Sequence, residues 1–318
     1  MELLVCLKQV PDMAEGMPDP ELGLVFPDNV TQEISALDRY ALEAAARLQD
    51  SCPDCSITLL SLDGETALRD GYAVVGEQAV LVWDPAFEGS DPVGKGLILA
   101  EAARVLEERQ GRPFDLILCG QQSADLGSGL TGPSLAEALG RPAVGSVPTP
   151  EYKAGCFHFQ RELGRGIQLV EADGGCVALV TRSERPLRYP TILRKMTAVE
   201  MELPELHGED LSALDRSRTG QEGACMRIVR RFAPPAKEDA VRIQATSGEE
   251  AAQELLRGLE WAKVLWGGER YGGAAGRLDR ACTGGCAPHG TGTSGPGQNA
   301  GPAAGERSER RGHRGVGG

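Results

Sequence analysis

The sequence predicts an α/β fold organised on a doubly wound, mainly parallel sheet, and three observations lead to that prediction. Short apolar runs of strand length recur in the first half of the chain. Stretches of helical periodicity alternate with them, and glycine or proline separates the two kinds of segment. Strands that alternate with helices form parallel sheets through right-handed crossovers, so a ligand site is expected beyond the carboxyl ends of the strands.

The elements of this sheet follow in chain order. Apolar runs predict buried strands at residues 3–10, 56–62, 79–82 and 116–119, the last ending at Gly120. Helical spacing of apolar residues predicts helices at residues 35–49, 66–75 and 92–110, and a further helix from Pro133 to Gly140. Ser35 with Asp38 resembles a capping box, and Thr131 or Ser134 is expected to cap the helix at Pro133.

The remaining segments are less regular. Residues 13–31 are rich in proline, glycine and aspartate, and predict a long excursion that contains a hairpin. After residue 147, short apolar runs at residues 156–160, 167–171 and 177–181 predict a short antiparallel extension at one end of the sheet. Residues 227–232 predict another strand, and residues 249–263 predict a last amphipathic helix.

The composition changes sharply from Gly267 onward. Glycine, arginine, serine, threonine and proline dominate there, and hydrophobic residues nearly vanish, so this segment cannot bury enough apolar surface to fold. A disordered, non-native tail is expected at residues 267–318, and an RNA-binding glycine–arginine tail is the alternative. The predicted organisation is an α/β domain at residues 1–200, a C-terminal arm with a helix at residues 201–266, and the tail.

Charge and cysteine content narrow the class of protein. The net charge of −13 over 318 residues argues against binding to nucleic acid or to anionic membranes. No signal peptide and no apolar stretch of transmembrane length is visible, so a cytoplasmic protein without direct membrane insertion is expected. The nine cysteines, including the pair Cys52 and Cys55, are expected to be free thiols rather than a metal or redox site.

The stretch from Phe114 to Pro142 predicts the ligand site. A buried strand there runs into a loop that contains Gly127 and Gly129, and the loop runs into a helix. Backbone amides of such loops, together with the positive end of the helix, bind phosphate groups. The alternative is an ordinary connection between a strand and a helix. In the predicted sheet, the end of the first strand, the helix start at residues 35–38 and the loop at residues 120–131 converge on one crevice.

Several segments in order resemble one known family. They are VCLKQVPD, ALDRYALEAAARL, GQQSADLGSGLTGPSLAEALGRP, RELGRGIQLVEADGGCVALVT and RYPTILRKM. Together they are similar to the beta subunit of electron-transfer flavoproteins, from residue 1 to about residue 265. The resemblance implies a nucleotide-hydrolase-like α/β fold and a heterodimer with an alpha subunit that carries the redox FAD. It also implies electron transfer from an acyl-CoA or other dehydrogenase to a quinone-linked or ferredoxin-linked acceptor.

The resemblance implies that the beta subunit binds AMP or, in electron-bifurcating members, a second FAD. Carried over by position, the nucleotide contacts are Cys6, Ser35, Ala36, Leu37, Asp38, Leu62, Gly120, Gln121, Gln122, Ser123, Ala124, Asp125, Leu126, Gly127, Ser128, Gly129, Leu130 and Thr131. Adenine is expected against Cys6 and Leu62, ribose at Asp38 or Asp125, and phosphate at the amides around residues 127–131. Asp38 could alternatively be a helix cap, and Asp125 could alternatively be a turn-forming residue. No residue is expected to act as a catalytic base or nucleophile.

The resemblance also implies a segment that recognises the dehydrogenase, with Ile192 as its anchor. Its residues are Arg188, Tyr189, Ile192, Leu193 and Met196. A surface loop that only packs on the alpha subunit is the alternative.

The chain departs from the family pattern at Ser35-Ala36, where Asn-Pro is frequent, and at residues 197–202, where lysines are frequent. Residues 227–235 resemble the bifurcating and anaerobic-type branches, which favours FAD. The loop is not the usual bifurcating version, because Ser128-Gly129-Leu130 replaces a more polar stretch.

Two other functions are considered for the same fold. An adenine-nucleotide sensor without a redox role predicts a compact chain, without the antiparallel extension and the Arg-Tyr-Pro segment. An adenylate-forming ligase predicts a strict pyrophosphate loop after the first strand, whereas Pro-Asp-Met-Ala follows Val10 here.

Overall fold

The computed structural model describes residues 1–19, 21–75, 77–164, 166–230, 232 and 241–262. The chain divides into two units, residues 1–236 and residues 237–318, each described by itself. The first unit contains the sheet and the candidate site. The described part of the second unit contains one amphipathic helix. The tail predicted at residues 267–318 lies outside the described residues.

The bounds of the elements are as follows. The strands are β1 (Glu2–Cys6), β2 (Gln9–Pro11), β3 (Met17–Asp19), β4 (Gly23–Val25), β5 (Gln32–Ile34), β6 (Ser56–Leu62), β7 (Gln78–Val82), β8 (Leu116–Gly120), β9 (Ala143–Val147), β10 (Pro150–Lys153), β11 (Cys156–Leu163), β12 (Gly166–Ala172), β13 (Cys176–Val180) and β14 (Glu205–Leu206). The helices are α1 (Ala36–Ser51), α2 (Glu65–Val75), α3 (Pro92–Gln110), α4 (Thr131–Leu139), α5 (Ile192–Glu200), α6 (Gly220–Gly223) and α7 (Gly248–Trp261).

The main sheet has seven strands in the order β14-β7-β6-β1-β8-β13-β9. All of its pairings are parallel, which confirms the predicted doubly wound α/β class. The chain proceeds from β1 outward through β6 to β7, and then crosses back to add β8 on the other side of β1. The order therefore reverses between β1 and β8, where parallel sheets of this kind leave a crevice for ligands.

Successive residues of β1 point to opposite faces of the sheet and enter two separate cores. Leu3 and Val5 pack with α1 and α2, whereas Leu4 and Cys6 pack with α3 and α4. Every residue of β1 and of β13 is buried. Strands buried on both faces appear in a sequence as unbroken apolar runs, which is why both segments are recognisable as strands.

The prediction of one first strand at residues 3–10 is wrong in its second half. The chain leaves the sheet after Cys6, and β2 pairs antiparallel with β5 outside it. Two backbone hydrogen bonds are formed where the chain leaves the sheet: the amide of Leu7 donates to the carbonyl oxygen of Leu60, and the amide of Ser35 donates to that of Lys8. The hairpin expected within residues 13–31 is present, because β3 and β4 pair antiparallel.

The antiparallel extension is confirmed for two of its three predicted runs. A separate sheet is formed by β10, β11 and β12, and Phe157 and Phe159 of β11 are buried against the main core. The third run belongs instead to β13, which lies between β8 and β9 as a parallel strand. The sequence alone could not distinguish an antiparallel from a parallel strand at residues 177–181, because a short apolar run is compatible with either kind of sheet.

The strand predicted at residues 227–232 is also wrong, since residues 227–230 form neither strand nor helix. The last helix is present as α7, and its N-cap is Ser247, whose side chain accepts the amide of Glu250. Among the described residues, no helix combines the length and apolar character needed to span a membrane. The described cysteines are free thiols.

Two predicted helix caps are not observed. Ser35 precedes α1 but makes no side-chain cap; its hydroxyl accepts the amide of Ala124 instead. Neither Thr131 nor Ser134 caps α4, because the helix begins at Thr131 and the preceding Leu130 has no side chain that could accept a hydrogen bond. Gly140 ends α4 in the left-handed conformation, as predicted.

Candidate functional site

A cavity of about 340 Å³ opens at the point where the strand order reverses. The ends of β1 and β8, the loop before α4, the start of α3 and a distant segment at residues 226–228 surround it. Its lining residues are Cys6, Leu7, Lys8, Asp38, Leu62, Gly89, Ser90, Asp91, Pro92, Lys95, Leu99, Cys119, Gly120, Gln121, Gln122, Ser123, Leu126, Ser128, Gly129, Thr131, Gly132, Leu135, Met226, Arg227 and Ile228.

Asp38 ties the three converging segments together. One carboxylate oxygen accepts the amide of Lys8 at 2.9 Å, and the other accepts the amide of Gly120 at 2.7 Å. Burial raises the pKa of Asp38 to about 7, and the two amides oppose that rise. Asp38 is therefore not a helix cap. Its oxygens serve the fold, and its contact with a ribose hydroxyl remains a prediction.

The loop before α4 presents a row of free backbone amides. The amides of residues 128–132 donate to no protein acceptor within the described part of the chain. Gly127 and Gly129 have φ values of +59° and +64°, a region that residues other than glycine rarely enter. The first turn of α4 lacks a side-chain cap, so its positive end and the loop amides can together bind an anion.

Two lysines bring positive charge to the cavity. The ammonium group of Lys8 is 2.6 Å from a carboxylate oxygen of Asp125 and 3.3 Å from the hydroxyl of Ser123. Burial opposes ionisation of Asp125, but the contacts with Lys8 and Ser123 bring the pKa of its carboxyl below the ordinary value. Burial and then the charge of Lys8 lower the pKa of Lys95.

The floor of the cavity is apolar. Cys6 is the last residue of β1, Cys119 is the second-last residue of the neighbouring strand β8, and both are buried. Burial, followed by the charge of Asp38, raises the pKa of Cys6 to about 12, and burial raises the pKa of Cys119 well above its ordinary value. Both groups are therefore neutral thiols that act as small hydrophobic residues.

The structure brings most of the predicted nucleotide contacts to one cavity. Those that line it are Cys6, Asp38, Leu62, Gly120, Gln121, Gln122, Ser123, Leu126, Ser128, Gly129 and Thr131. Those that are not part of its lining are Ser35, Ala36, Leu37, Ala124, Asp125, Gly127 and Leu130. Asp125 acts on the site through Lys8, and Ser35 through its hydrogen bond to the loop.

Sequence reasoning missed one side of the cavity. It assigned no ligand contact to Lys8, to the start of α3 with Asp91 and Lys95, or to residues 226–228. A start signal for α3 was available, since Asp91-Pro92 is a favoured helix beginning. The approach of residues 226–228 had no local signal, because it depends on contacts between segments far apart in the chain.

Comparison with known proteins decides the family. A model of the electron transfer flavoprotein domain matches residues 23–207, from β4 to just past β14. The chain is 33% identical over 271 residues to the electron transfer flavoprotein subunit beta of Megasphaera elsdenii, which covers 83% of this chain and 100% of that protein. The chain belongs to the family of electron transfer flavoprotein beta subunits.

Other relatives agree with this assignment. The subunit CarD of the caffeyl-CoA reductase-Etf complex of Acetobacterium woodii is 27% identical over 268 residues, covering 83% of this chain and 100% of CarD. Protein FixA of Bradyrhizobium diazoefficiens is 28% identical over 262 residues, covering 80% of this chain and 90% of FixA. Electron transfer flavoproteins are electron carriers that are associated with flavin and adenine nucleotides, and the family implies an alpha subunit as partner.

The segment predicted to recognise a dehydrogenase in this electron transfer flavoprotein subunit is partly anchored and partly exposed. Arg188 forms ion pairs with Glu43 at 3.0 Å and with Asp50 at 2.7 Å, which fixes the segment on α1. The hydrogen bond from Arg188 lowers the pKa of Asp50, against a small opposing effect of burial. The exposed side chains are Tyr189, Ile192, Leu193 and Met196.

The helix α5, which carries most of these exposed residues, is stabilised by hydrogen bonds at both of its ends. Thr191 caps it through the amide of Arg194. At its other end, the guanidinium of Arg69 donates to the carbonyl oxygens of Ala198 at 2.7 Å and Val199 at 3.0 Å. Cations favour the carboxyl end of a helix, so Arg69 stabilises the helix that presents these apolar side chains.

Proposed function

We propose that this chain is the beta subunit of a heterodimeric electron transfer flavoprotein and binds an adenine nucleotide in the cavity between β1 and β8. The nucleotide is AMP or a second FAD. Its binding supports the passage of electrons from a dehydrogenase, through the FAD of the alpha subunit, to a quinone-linked or ferredoxin-linked acceptor. An adenine-nucleotide sensor of the same fold is the second candidate.

The row of free amides at residues 128–132 carries this proposal. A phosphate group seated there would accept hydrogen bonds from backbone donors that have no protein partner among the described residues. The start of α4 would add its positive end, and Lys95 would add a charge that has no ion pair in the described part of the chain. Charge-assisted hydrogen bonds of this kind are about twice as strong as neutral ones.

The rest of the cavity suits a purine. The side chains of Leu62, Leu99 and Leu135 and the two neutral thiols make most of its surface apolar. Small-molecule cavities span about 300–1,000 Å³, and this one lies near the lower limit. AMP matches that volume better than FAD, a much larger molecule that would have to extend into the solvent or along the alpha subunit.

The exposed side chains on α5 support a role in recognising the electron donor. Ile192 is 79% exposed and Leu193 is 74% exposed, although both are large and apolar. Burying such side chains in a partner contributes about 1.5–3 kcal/mol each. We therefore assign dehydrogenase recognition to Tyr189, Ile192, Leu193 and Met196, with Arg188 holding the segment in place.

Co-expression with a candidate alpha subunit tests the proposal. The purified complex would be denatured, and flavin and AMP released per heterodimer would be counted. One flavin with one AMP supports the conventional form, and two flavins support the bifurcating form. A chain that binds a nucleotide without forming a heterodimer would favour the sensor. A chain that forms no complex and holds no adenine nucleotide would refute both.

A lysine variant tests the phosphate subsite directly. Lys95→Met removes the charge and keeps most of the side-chain length, so AMP affinity should fall about 10-fold or more, the effect of losing one charge-assisted contact. Adenosine, which lacks the phosphate, should bind both proteins equally. Lys153→Met, on β10 away from the cavity, is the matched control and should change neither affinity.

A further inference from the structure

One side of the cavity is made by Met226, Arg227 and Ile228, which belong to no helix or strand. They follow α6 and lie far along the chain from the sheet strands that form the floor. An irregular segment keeps a fixed position only if other groups satisfy its backbone and hold it. The source of that support is found at the start of α3.

Asp91 has two roles at once. It is the N-cap of α3, where one carboxylate oxygen accepts the amide of Gly94 at 2.8 Å. The other oxygen accepts the amides of Cys225 at 2.8 Å and Met226 at 3.0 Å. Burial works against ionisation, yet these amides bring the pKa of Asp91 below its ordinary value. The carboxylate is therefore ionised at neutral pH, and it holds the residues directly before Arg227.

The segment that leads to Met226 also packs tightly on the turn before α3. The hydroxyl of Ser90 accepts the amide of Gly220 at 2.7 Å. A Cβ added at Gly220, whose φ is +70°, would lie 2.7 Å from the carbonyl oxygen of Ala86, and one at Gly94 would lie 2.9 Å from that of Arg218. These approaches leave no space for side chains, so the position of the segment is specified by the fold.

We propose that Asp91 is a positioning residue of the nucleotide site, holding residues 226–228 as its outer wall so that Arg227 meets the phosphate of the ligand. This inference rests on the proposed function, because it takes the ligand to be an adenine nucleotide. Both oxygens of Asp91 are directed to backbone amides, so it acts through the wall and not on the ligand. Arg227 is a third cationic residue, besides Lys8 and Lys95, in the lining of the cavity.

Asp91→Ser separates the two roles of this side chain. Serine is a good N-cap and can still accept the amide of Gly94, but it has no second oxygen for Cys225 and Met226. Asp84→Ser is the matched control. Asp84 also caps a turn, through the amide of Ala86, and also holds a distant amide, that of Gly208, but it does not line the cavity.

Two measurements on the co-expressed heterodimer test the inference. Hydrogen exchange, read by mass spectrometry in the ligand-free complex, should be faster for Cys225 and Met226 in Asp91→Ser than in the wild type. If the wall is then in place in about a tenth of the molecules, the apparent Kd for AMP rises about tenfold. The Asp84→Ser complex should match the wild type in both measurements.

A second variant keeps the test decisive if Asp91→Ser fails to fold. Arg227 is exposed and follows Cys225 and Met226, whose amides Asp91 accepts. Arg227→Gln should weaken the binding of AMP but not that of adenosine, which lacks the phosphate. Unchanged AMP affinity in either variant would overturn the inference, as would unchanged exchange in Asp91→Ser. A wild-type heterodimer that binds neither AMP nor FAD marks the failure of the proposed function itself, and the inference falls with it.

Discussion

Substitution of Gly120 by alanine tests the close approach of β8 to α1 that forms the floor of the site. A Cβ at this position would lie 2.5 Å from a carboxylate oxygen of Asp38 and 2.9 Å from both the amide nitrogen of Asp38 and the Cβ of Leu37. Two of these three atoms belong to or adjoin the backbone of α1. The methyl group therefore cannot be accommodated by rotating a side chain alone, and β8 and α1 must separate.

The magnitude follows from two costs. Overpacking of this kind typically costs about 1–3 kcal/mol. Separation also lengthens the hydrogen bond from the Gly120 amide to Asp38, and a bond to a charged group contributes about 1.5–3 kcal/mol. Together these costs amount to about 2.5–6 kcal/mol, a large part of the roughly 5–15 kcal/mol that stabilises a typical domain. AMP affinity should fall as well, since Gly120 lines the cavity.

Urea unfolding, followed by circular dichroism at one fixed protein concentration, measures this loss. Gly145→Ala is the matched control, because its Cβ would meet nothing closer than the side chain of Leu179 at 3.6 Å, an ordinary contact. Its unfolding free energy should stay within about 1 kcal/mol of the wild type. If Gly120→Ala unfolds with the same midpoint and slope as this control, the close approach does not stabilise the fold and the reasoning is refuted.

Three further predictions concern pH, helix packing and partner recognition. Because the pKa of Asp38 is raised to about 7 in the folded state, its contribution to stability is fully present below its ordinary value near 3.8 and is lost as the pH rises through 7. The urea midpoint of the wild type should therefore fall more between about pH 5 and pH 8 than that of Asp38→Asn; equal falls would contradict the assignment. Gly96→Ala places a Cβ 2.9 Å from backbone atoms of Thr131 and Leu135, so it should displace α4 and lower the unfolding free energy by about 1–3 kcal/mol. The control Gly258→Ala places its Cβ in open space on α7 and should not lower the unfolding free energy. Ile192→Ser should raise the KM for the partner dehydrogenase without changing the unfolding midpoint, and Ile167→Ser, at a similarly exposed position on β12, should leave that KM unchanged.

Local patterns in the sequence were enough to establish the order of the main elements and the loop that lines the site. The strands β6, β7 and β8 are largely apolar because both their faces are buried, and that pattern is local. The bounds of α3 were predicted to the residue, since proline and glycine mark its two ends. Convergence of Cys6, Asp38 and Gly120 followed from a general property of parallel sheets, that their carboxyl ends share one edge.

Which distant groups meet depends on the folded chain. The run at residues 177–181 is equally suited to an antiparallel extension or to a parallel strand, and only pairing with β8 and β9 places it in the main sheet. Asp38 lies in a helical first turn, and only folding brings the amides of Lys8 and Gly120 to it. The segment at residues 226–228 reaches the cavity through Asp91, which is 134 residues before Cys225 in the chain. The periodicity of apolar residues shows which face of a helix or strand is buried, but not which other segment of the chain packs against that face. The site is formed by such contacts between distant segments, so only the tertiary structure shows it.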